Sequence, residues 1–221
     1  MRALPANEAY RLWAPTYSDE TAISFLENKL VKGMTPPLPG LRLLDAGCGT
    51  GRRLRATDAA RATGLDQSAE MLAAGGQITG VDLVLGDVCE MPFEDKSFDI
   101  AWCRLVVGHL RSVERAYSEL ARVTDLAGTI IVSDFHPAAY DAGHRRTFRF
   151  ADERIELEHH VRGAQSQIDA ARAVGLAHLQ TREAKIGEEV RTFYEGAGRL
   201  YAYPADRGLP VVLALAFRKV R

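Results

Sequence analysis

Five short apolar runs alternate with segments of helical spacing across residues 41–134, and this alternation restricts the fold more than any other feature. The runs are "LRLLDA", "TGLD", "DLVLGD", "FDIAWC" and "GTIIVSD". A helical stretch is expected before "TGLD", another starts at the N-cap Ser68, and a third stops at Gly128. Such alternation predicts an α/β fold in which helices cover both faces of a doubly wound, mostly parallel sheet.

The flanking residues predict three additions to this sheet. Residues 1–40 read as a helical arm that the breaker "GMTPPLPG" ends, and residues 165–221 as a further helix with two strands. Residues 136–164 predict an inserted cap with a hairpin, Thr147–Phe150 and Arg154–His160. Alternation puts His159 and His160 on opposite faces of that hairpin. We expect one domain, 1–221, with residues 41–135 as its core.

Composition limits the partners and the location of the chain. A single domain of 221 residues buries roughly 70% of its unfolded surface. The 28 Lys and Arg nearly balance the 29 Asp and Glu, and no run of basic residues is present. Nucleic acid is therefore disfavoured as a partner. No secretion signal is visible and the apolar run "VVLALAF" is too short for a bilayer, so we expect a soluble, cytoplasmic protein without a membrane partner. The three cysteines lack CxxC spacing and indicate neither disulfides nor zinc.

Three alternating glycines follow the first apolar run in "LLDAGCGTGR", residues 43–52. Glycines at the end of a strand let a ligand approach the backbone closely. The dinucleotide fingerprint G-x-G-x-x-G needs glycine where this chain has Arg52, and Asp45 would repel a pyrophosphate. S-adenosylmethionine has no phosphate and carries a sulfonium and an ammonium group. The glycine run therefore favours S-adenosylmethionine over a dinucleotide as the cofactor.

Residues 41–135 resemble the class I S-adenosylmethionine-dependent methyltransferases, specifically small-molecule members of the methyltransferase type 11 kind. "LLDAGCGTGR" is similar to their first motif, and "FDIAWCRLVVGHL" to their fourth strand and the loop beneath the methyl donor. In "ELARVTDLAGTIIVSDF", Leu126 and Ala127 replace the usual Pro and first Gly. The resemblance implies a Rossmann-like, seven-stranded sheet with an N-terminal helical arm and an inserted β-hairpin cap.

The same resemblance assigns the cofactor site. Asp66 corresponds to the acid that accepts from both ribose hydroxyls, and Asp87 to the acid that accepts from the adenine amino group, next to the Val88 N–H. Asp45 either contacts the ligand or positions the loop and a water, whereas Met71 packs on adenine or fills the core. The expected cofactor residues are Tyr17, Asp45, Gly47, Cys48, Gly49, Asp66, Gln67, Met71, Asp87, Val88 and Arg104.

Catalytic and acceptor-binding residues are expected above the cofactor. In "AYRLWAPTYSDE", Tyr10, Trp13 and Tyr17 resemble a lid that many small-molecule members fold over the donor. Methyl transfer depends mainly on positioning and desolvation, and it needs a base only when the acceptor must lose a proton. His109 and His136 follow the fourth and fifth core strands and are the candidate bases. The expected acceptor-binding residues are Trp13, His160, Tyr194 and Tyr201.

Several acceptor classes are disfavoured by missing motifs. "CRLV" lacks the Asn or Asp followed by Pro-Pro-aromatic of DNA amino methyltransferases, and the double-Glu loop of protein arginine methyltransferases is not apparent. Arg104 stands where a metal site would have an oxygen ligand, so we expect no metal. A small organic acceptor with an oxygen, nitrogen or carbon nucleophile remains. Two alternatives are a cofactor-binding protein without catalysis and, disfavoured by Arg52, a nucleotide-dependent oxidoreductase.

Overall fold

A computed structural model describes residues 2–17 and 20–220 of the chain. The five predicted core strands follow one another along the chain in the predicted order. The strands are β1 (Arg2–Leu4), β2 (Arg42–Ala46), β3 (Arg61–Asp66), β4 (Val81–Leu85), β5 (Phe98–Arg104), β6 (Thr124–Phe135), β7 (Thr147–Phe150), β8 (Glu153–Leu157), β9 (Leu176–Lys185) and β10 (Pro210–Lys219). The helices are α1 (Ala6–Trp13), α2 (Ala22–Lys32), α3 (Ala69–Gly75), α4 (Glu114–Val123), α5 (Pro137–Asp141), α6 (Ala164–Ala173), α7 (Arg191–Gly196) and α8 (Tyr203–Asp206).

Seven strands form the main sheet in the order β4-β3-β2-β5-β6-β10-β9. All neighbours are parallel except β10, which runs antiparallel to both β6 and β9. The predicted seven-stranded, mostly parallel sheet is therefore confirmed. The strand order reverses beside β2, where β3 lies on one side and β5 on the other. At such a reversal the loops beyond the carboxyl ends of the strands diverge and leave a crevice for a ligand.

The central strands of the sheet are buried on both faces, which explains why they are mostly apolar. Successive residues of a strand point to opposite faces, and Leu43 and Leu44 of β2 are both fully buried. Leu44 packs in the cluster that includes Tyr117 and Leu120 of α4. Leu43 packs in the cluster on the other face, with Val31 at the end of α2. The core strands are thus fixed by packing from both sides.

The segment between β2 and β3 differs from the prediction. Instead of a helix it contains one 3-10 turn, Leu54–Ala56, whose Leu54 is buried in the core. The backbone N–H groups of Ala60 and Arg61 donate to the carbonyl of Leu41, at 3.0 and 3.4 Å. These bonds tie the end of the connection to the start of β2, so the few residues after the glycines cannot extend into a helix.

The predicted arm and cap meet in a second sheet of order β1-β8-β7. The sequence predicts the hairpin, but not the strand β1, which runs parallel to β8. Leu4 of β1 and Phe148 of β7 are buried in the small core of this sheet, and the Trp13 ring stacks on Phe148 at 4.9 Å. The second strand ends at Leu157, earlier than predicted, so the two histidines that follow are loop residues.

The end of α4 also differs from the prediction. The helix ends at Val123 rather than at Gly128, and the chain continues directly into β6. Ala127, where the family usually has glycine, adopts a left-handed φ of 63° that glycine takes without strain. No helix within the described residues is both long enough and apolar enough to span a bilayer.

Candidate active site

The ends of β2, β3 and β4 converge on one cleft of about 710 Å³, including its open mouth. This volume is typical of sites for small ligands. Every predicted cofactor residue except Asp45 lines the cleft, as does His109. These lining residues are Tyr17, Gly47, Cys48, Gly49, Asp66, Gln67, Met71, Asp87, Val88, Arg104 and His109.

The glycine loop after β2 forms the floor of the cleft. Gly47 and Gly49 have left-handed φ angles of 82° and 60°. The N–H groups of Gly47 and Cys48 both donate to the carbonyl of Leu65, at 2.7 and 2.9 Å. A Cβ at Gly47 would lie 2.2 Å from Cγ2 of Val106. Both the backbone conformation and the packing therefore require glycine at position 47.

Two acids at the strand ends are held by backbone N–H groups. Asp66 accepts from the N–H of Gly49 at 2.7 Å and from that of Ser68 at 2.9 Å. Burial raises the pKa of Asp66, and these hydrogen bonds oppose the rise. Asp87 accepts from the N–H of Cys89 at 2.8 Å. Because a carboxylate oxygen has more than one lone pair, both acids retain acceptor capacity for a ligand.

Asp45 lies beneath the loop and is not among the described lining residues of the cleft. Its carboxylate is fully buried, and neither oxygen has a hydrogen-bond partner among the described residues. Burial raises its pKa, whereas the nearby Arg104 and Arg53 act in the opposite direction. A buried acceptor without a partner is costly, and a cationic ligand above the loop would stabilise it. This environment fits the ammonium and sulfonium groups of S-adenosylmethionine.

Arg104 lines the cleft but is bound from below by Glu27 of α2. The Nε and Nη2 atoms of Arg104 donate to Glu27 at 2.9 and 2.8 Å, and Arg53 donates to the same carboxylate at 3.0 Å. Ser133 adds a hydrogen bond of 2.6 Å. Burial opposes ionisation of Glu27, but Arg53 and Arg104 outweigh it and lower its pKa to about 2. No local sequence pattern indicates Glu27 or Arg53 as a site residue, because these positions are far apart in the chain from each other and from Arg104.

His109 contacts Tyr10 of the arm at the rim of the cleft. The Tyr10 hydroxyl lies 3.0 Å from Nε2 of His109, and Nδ1 lies 3.3 Å from the carbonyl oxygen of Glu158. Since a carbonyl only accepts, Nδ1 carries the hydrogen and Nε2 accepts from Tyr10. Arg146 donates to the Tyr10 oxygen at 3.1 Å. Burial, together with Arg146 and His159, lowers the pKa of His109 well below its usual value, so the ring is neutral.

Three predicted site residues lie outside the described lining of the cleft. His136 accepts from the N–H of Ala138 at 3.0 Å and pairs with Glu183 at 3.1 Å, so it caps α5 away from the cleft. The histidine that turns inward is His159 instead of His160, because the Nε2 atom of His159 lies 3.2 Å from Asp134 in the protein interior. Tyr201 is 81% exposed. None of the three assigned residues is among the described lining of the cleft or of the groove beside it.

The remaining predicted residues fall into two groups. Trp13 and Tyr194 line a groove that adjoins the cleft, and Tyr17 lines both. Cys48 and Met71 are buried within the floor of the cleft, and burial raises the pKa of the Cys48 thiol, which disfavours its reactive thiolate form. Among residues 2–17 and 20–220, no group of three or more His, Cys, Asp or Glu side chains is arranged to hold a metal ion.

Known proteins are similar to this chain in sequence and in fold. The family model described as "Methyltransferase domain" matches residues 44–132. A malonyl-[acyl-carrier protein] O-methyltransferase of Erwinia billingiae (strain Eb661) is 33% identical over 129 residues, which cover 57% of this chain and 51% of that protein. A demethylmenaquinone methyltransferase of Renibacterium salmoninarum is 33% identical over 113 residues, which cover 49% of this chain and 48% of that protein. The chain thus spans about half the length of these curated relatives.

Solved structures resemble most of the chain. An S-adenosylmethionine-dependent methyltransferase from Mesorhizobium loti superimposes with a TM-score of 0.68 at 24% identity, covering 88% of this chain and 98% of that one. This likeness concerns the fold and extends over the sheet, beyond the residues that the family model matches. Residues 44–132 thus match the family model of a methyltransferase domain, and the chain has the fold of class I S-adenosylmethionine-dependent methyltransferases.

Proposed function

We propose that this chain transfers a methyl group from S-adenosylmethionine to an oxygen, nitrogen or carbon nucleophile of a small organic molecule. The proposal depends mainly on one observation, the convergence of the ends of β2, β3 and β4 on a single cleft. Bound S-adenosylmethionine supplies an activated methyl group on a sulfonium. The relatives act on malonyl-[acyl-carrier protein] and on demethylmenaquinone, so they support methyl transfer without fixing the acceptor.

The proposed cofactor contacts divide among the three strand ends. Asp66 after β3 accepts from the ribose hydroxyls, and Asp87 after β4 accepts from the adenine amino group beside the Val88 N–H. The loop at Gly47 and Gly49 leaves room for the amino acid part of the cofactor. The buried carboxylate of Asp45 lies beneath the loop and stabilises the positive charge of the cofactor.

Tyr10 and His109 are the proposed route for a proton that leaves the acceptor. The neutral Nε2 of His109 already accepts a hydrogen bond from Tyr10 at 3.0 Å. Tyr10 can therefore take the proton of an acceptor hydroxyl or ammonium group while it passes its own proton to His109. Burial raises the pKa of Tyr10, so the resting phenol is un-ionised and the two transfers are coupled.

Two other functions remain as alternatives. A cofactor-binding protein without catalysis would keep the cleft and the acids, but the Tyr10–His109 contact at its rim favours an enzyme. A nucleotide-dependent oxidoreductase would need room for a pyrophosphate beside the glycine loop, where Arg52 replaces the third glycine of the fingerprint.

Ligand-induced stabilisation tests the proposed cofactor. S-adenosylmethionine and S-adenosylhomocysteine are expected to raise the melting temperature, because a ligand that binds only the folded state stabilises it by mass action. NAD, measured in parallel, is expected to leave the melting temperature unchanged. Stabilisation by NAD alone would favour the oxidoreductase, and no shift with either S-adenosyl ligand would reject the proposal. Detection of S-adenosylhomocysteine released with phenols, amines and carboxylic acids then separates an enzyme from a binding protein.

The Asp66→Ala variant is expected to weaken S-adenosylhomocysteine binding by about 2 to 3 kcal/mol, roughly thirty- to 150-fold. The reason is the loss of charge-assisted hydrogen bonds to the ribose hydroxyls. Isothermal calorimetry measures this change. Asp58→Ala serves as the control, because Asp58 follows the glycine loop but does not line the cleft. Equal affinities of the Asp66 variant and the wild type would reject the ribose assignment.

His109→Gln is expected to reduce kcat by about two to four orders of magnitude with an acceptor that must lose a proton. Tyr10→Phe should produce a loss of the same kind, since it breaks the proton route. Both variants should bind S-adenosylhomocysteine with wild-type affinity. Because the pKa of His109 lies well below its usual value, the wild-type kcat should not fall between pH 8 and pH 6. A titration near pH 6.5, or full rates in both variants, would contradict this role.

A further inference from the structure

A groove of about 1960 Å³, including its open side, continues from the cofactor cleft. Tyr17 and Leu105 line both cavities, so a molecule in the groove can reach the rim where Tyr10 and His109 meet. Part of the lining, called the apolar wall below, consists of apolar side chains: Trp13, Ile23, Leu26, Phe148, Phe193 and Val211.

The groove is also rich in positive charge. Six arginines line it: Arg52, Arg145, Arg146, Arg149, Arg154 and Arg199. The carboxylates among its described lining residues are Glu20 and Asp206, and Asp206 already accepts from Tyr194 at 2.9 Å and contacts His144 at 3.1 Å. Arg145 lies 3.6 Å from Glu156. For the other five arginines, no carboxylate oxygen of a described residue lies within 4.0 Å. The whole chain has a net charge of −1, so this excess is local.

Two of these arginines face each other across the hairpin. Arg149 of β7 and Arg154 of β8 are partners in the antiparallel register, which puts both side chains on one face. Like charges directly opposite each other destabilise a strand pair. The Nε of Arg154 donates to the Thr147 hydroxyl at 3.1 Å, but this hydrogen bond does not neutralise the charge of the arginine. An anion between the two guanidinium groups would remove the repulsion and supply a partner for both.

We infer that the groove binds an elongated acceptor with an apolar body and an anionic group, a carboxylate or a phosphate, held by Arg149 and Arg154 away from the reacting end. The inference rests on the proposed methyltransferase function and specifies its acceptor class. The apolar wall covers the body of the acceptor, and the nucleophile at its other end reaches Tyr10 and His109.

Calorimetry on the full chain, with S-adenosylhomocysteine already bound, tests this inference with four probes below their micelle-forming concentrations. The probes are dodecanoate, dodecyl phosphate, dodecanol and dodecyltrimethylammonium. We expect the two anions to bind and to weaken each other's binding, and the neutral and cationic probes to bind at least tenfold more weakly. The tighter anion identifies the group as a carboxylate or a phosphate. Equal binding of dodecanol and dodecanoate, or no binding of either anion, would overturn the inference.

Arg149→Gln and Arg154→Gln provide the second test. Each is expected to weaken binding of the preferred anion by about tenfold, and to leave the melting temperature of the free protein unchanged or higher, because like-charge repulsion is lost. Arg218→Gln is the control, since Arg218 is exposed on β10 outside the groove. Wild-type anion affinity in both groove variants would overturn the inference. A separate titration without probes shows whether S-adenosylhomocysteine binds, so failure of the cofactor proposal is recognised independently.

Discussion

The Glu27→Gln variant is expected to lose about 3 to 5 kcal/mol of its free energy of unfolding. The carboxylate of Glu27 is fully buried, and the side chains of Arg104 and Arg53 that it binds are 2% and 10% exposed. Neutralising the acid leaves two guanidinium groups in the interior with a weakly accepting amide, so most of the cost comes from uncompensated buried charge. Denaturant unfolding at pH 7, monitored by circular dichroism, measures this loss of stability.

Glu195→Gln is the matched control for this substitution. Glu195 lies 3.5 Å from Arg191, and both side chains are about half exposed. Water screens such a pair, so the control should stay within about 0.5 kcal/mol of the wild type. A similar small change at Glu27 would mean that the cluster beneath the cleft does not depend on the charge of its central acid.

The same cluster predicts how the difference in unfolding free energy between the wild type and Glu27→Gln depends on pH. The pKa of Glu27 is about 2 in the folded protein, against 4.5 for an unperturbed group. Since the folded pKa is the lower one, the contribution of Glu27 to stability is complete above pH 4.5 and is lost as the pH falls towards 2. The stability gap between wild type and Glu27→Gln should therefore narrow below pH 4.5. A gap that is constant from pH 6 to pH 3 would contradict the lowered pKa.

The sequence predicts those features that depend on short-range patterns. Leu43 and Leu44 are consecutive apolar residues of one short run, and adjacent apolar residues in a strand predict that both of its faces are buried. The parallel direction of the core strands is predicted by the alternation of strand and helical segments in the sequence. Asp66 is the last residue of β3 and Asp87 follows β4, so a parallel sheet brings both acids to one edge.

Contacts between distant residues could not be predicted in this way. Glu27 and Arg104 are 77 positions apart, and Tyr10 and His109 are 99 positions apart, so no periodicity connects either pair. The residue type alone is also ambiguous. His136 has the chemistry of a base and follows a core strand, yet its ring accepts from the Ala138 N–H and caps a short helix. Only packing decides between such roles.

The predicted helix after the glycine loop is wrong for a different reason. The local sequence permits a helix there, but the two ends of the segment are fixed by the strands that it joins. The residues after Gly51 carry no strong helix breaker, but they must return to β3, whose first residue bonds to Leu41. The chain therefore makes a single 3-10 turn around Leu54. As a result, no α-helix directly follows the glycine run. The glycine loop alone therefore leaves space for the cofactor at this end of the cleft.

The second large effect is expected at Gly47. Replacement by alanine should lower the free energy of unfolding by roughly 2 to 4 kcal/mol, which combines the cost of a left-handed conformation with that of overpacking. The φ of Gly47 is 82°, and the added Cβ would lie 2.2 Å from Cγ2 of Val106. Val106 is β-branched and cannot rotate away freely, so the loop must move. Because the N–H of Gly47 donates to Leu65 at 2.7 Å, this movement should also weaken S-adenosylhomocysteine binding at least tenfold.

Gly40→Ala separates the two causes of this effect. Gly40 has a φ of 83°, almost equal to that of Gly47, but an added Cβ there meets no atom within 4 Å. The control should therefore lose only the conformational part, about 1 to 2 kcal/mol, and bind S-adenosylhomocysteine like the wild type. Thermal unfolding and calorimetry on both variants measure the two differences. If the losses at Gly47 and Gly40 are equal, the tight contact with Val106 does not support the loop, and the floor of the cleft is more adaptable than its geometry indicates.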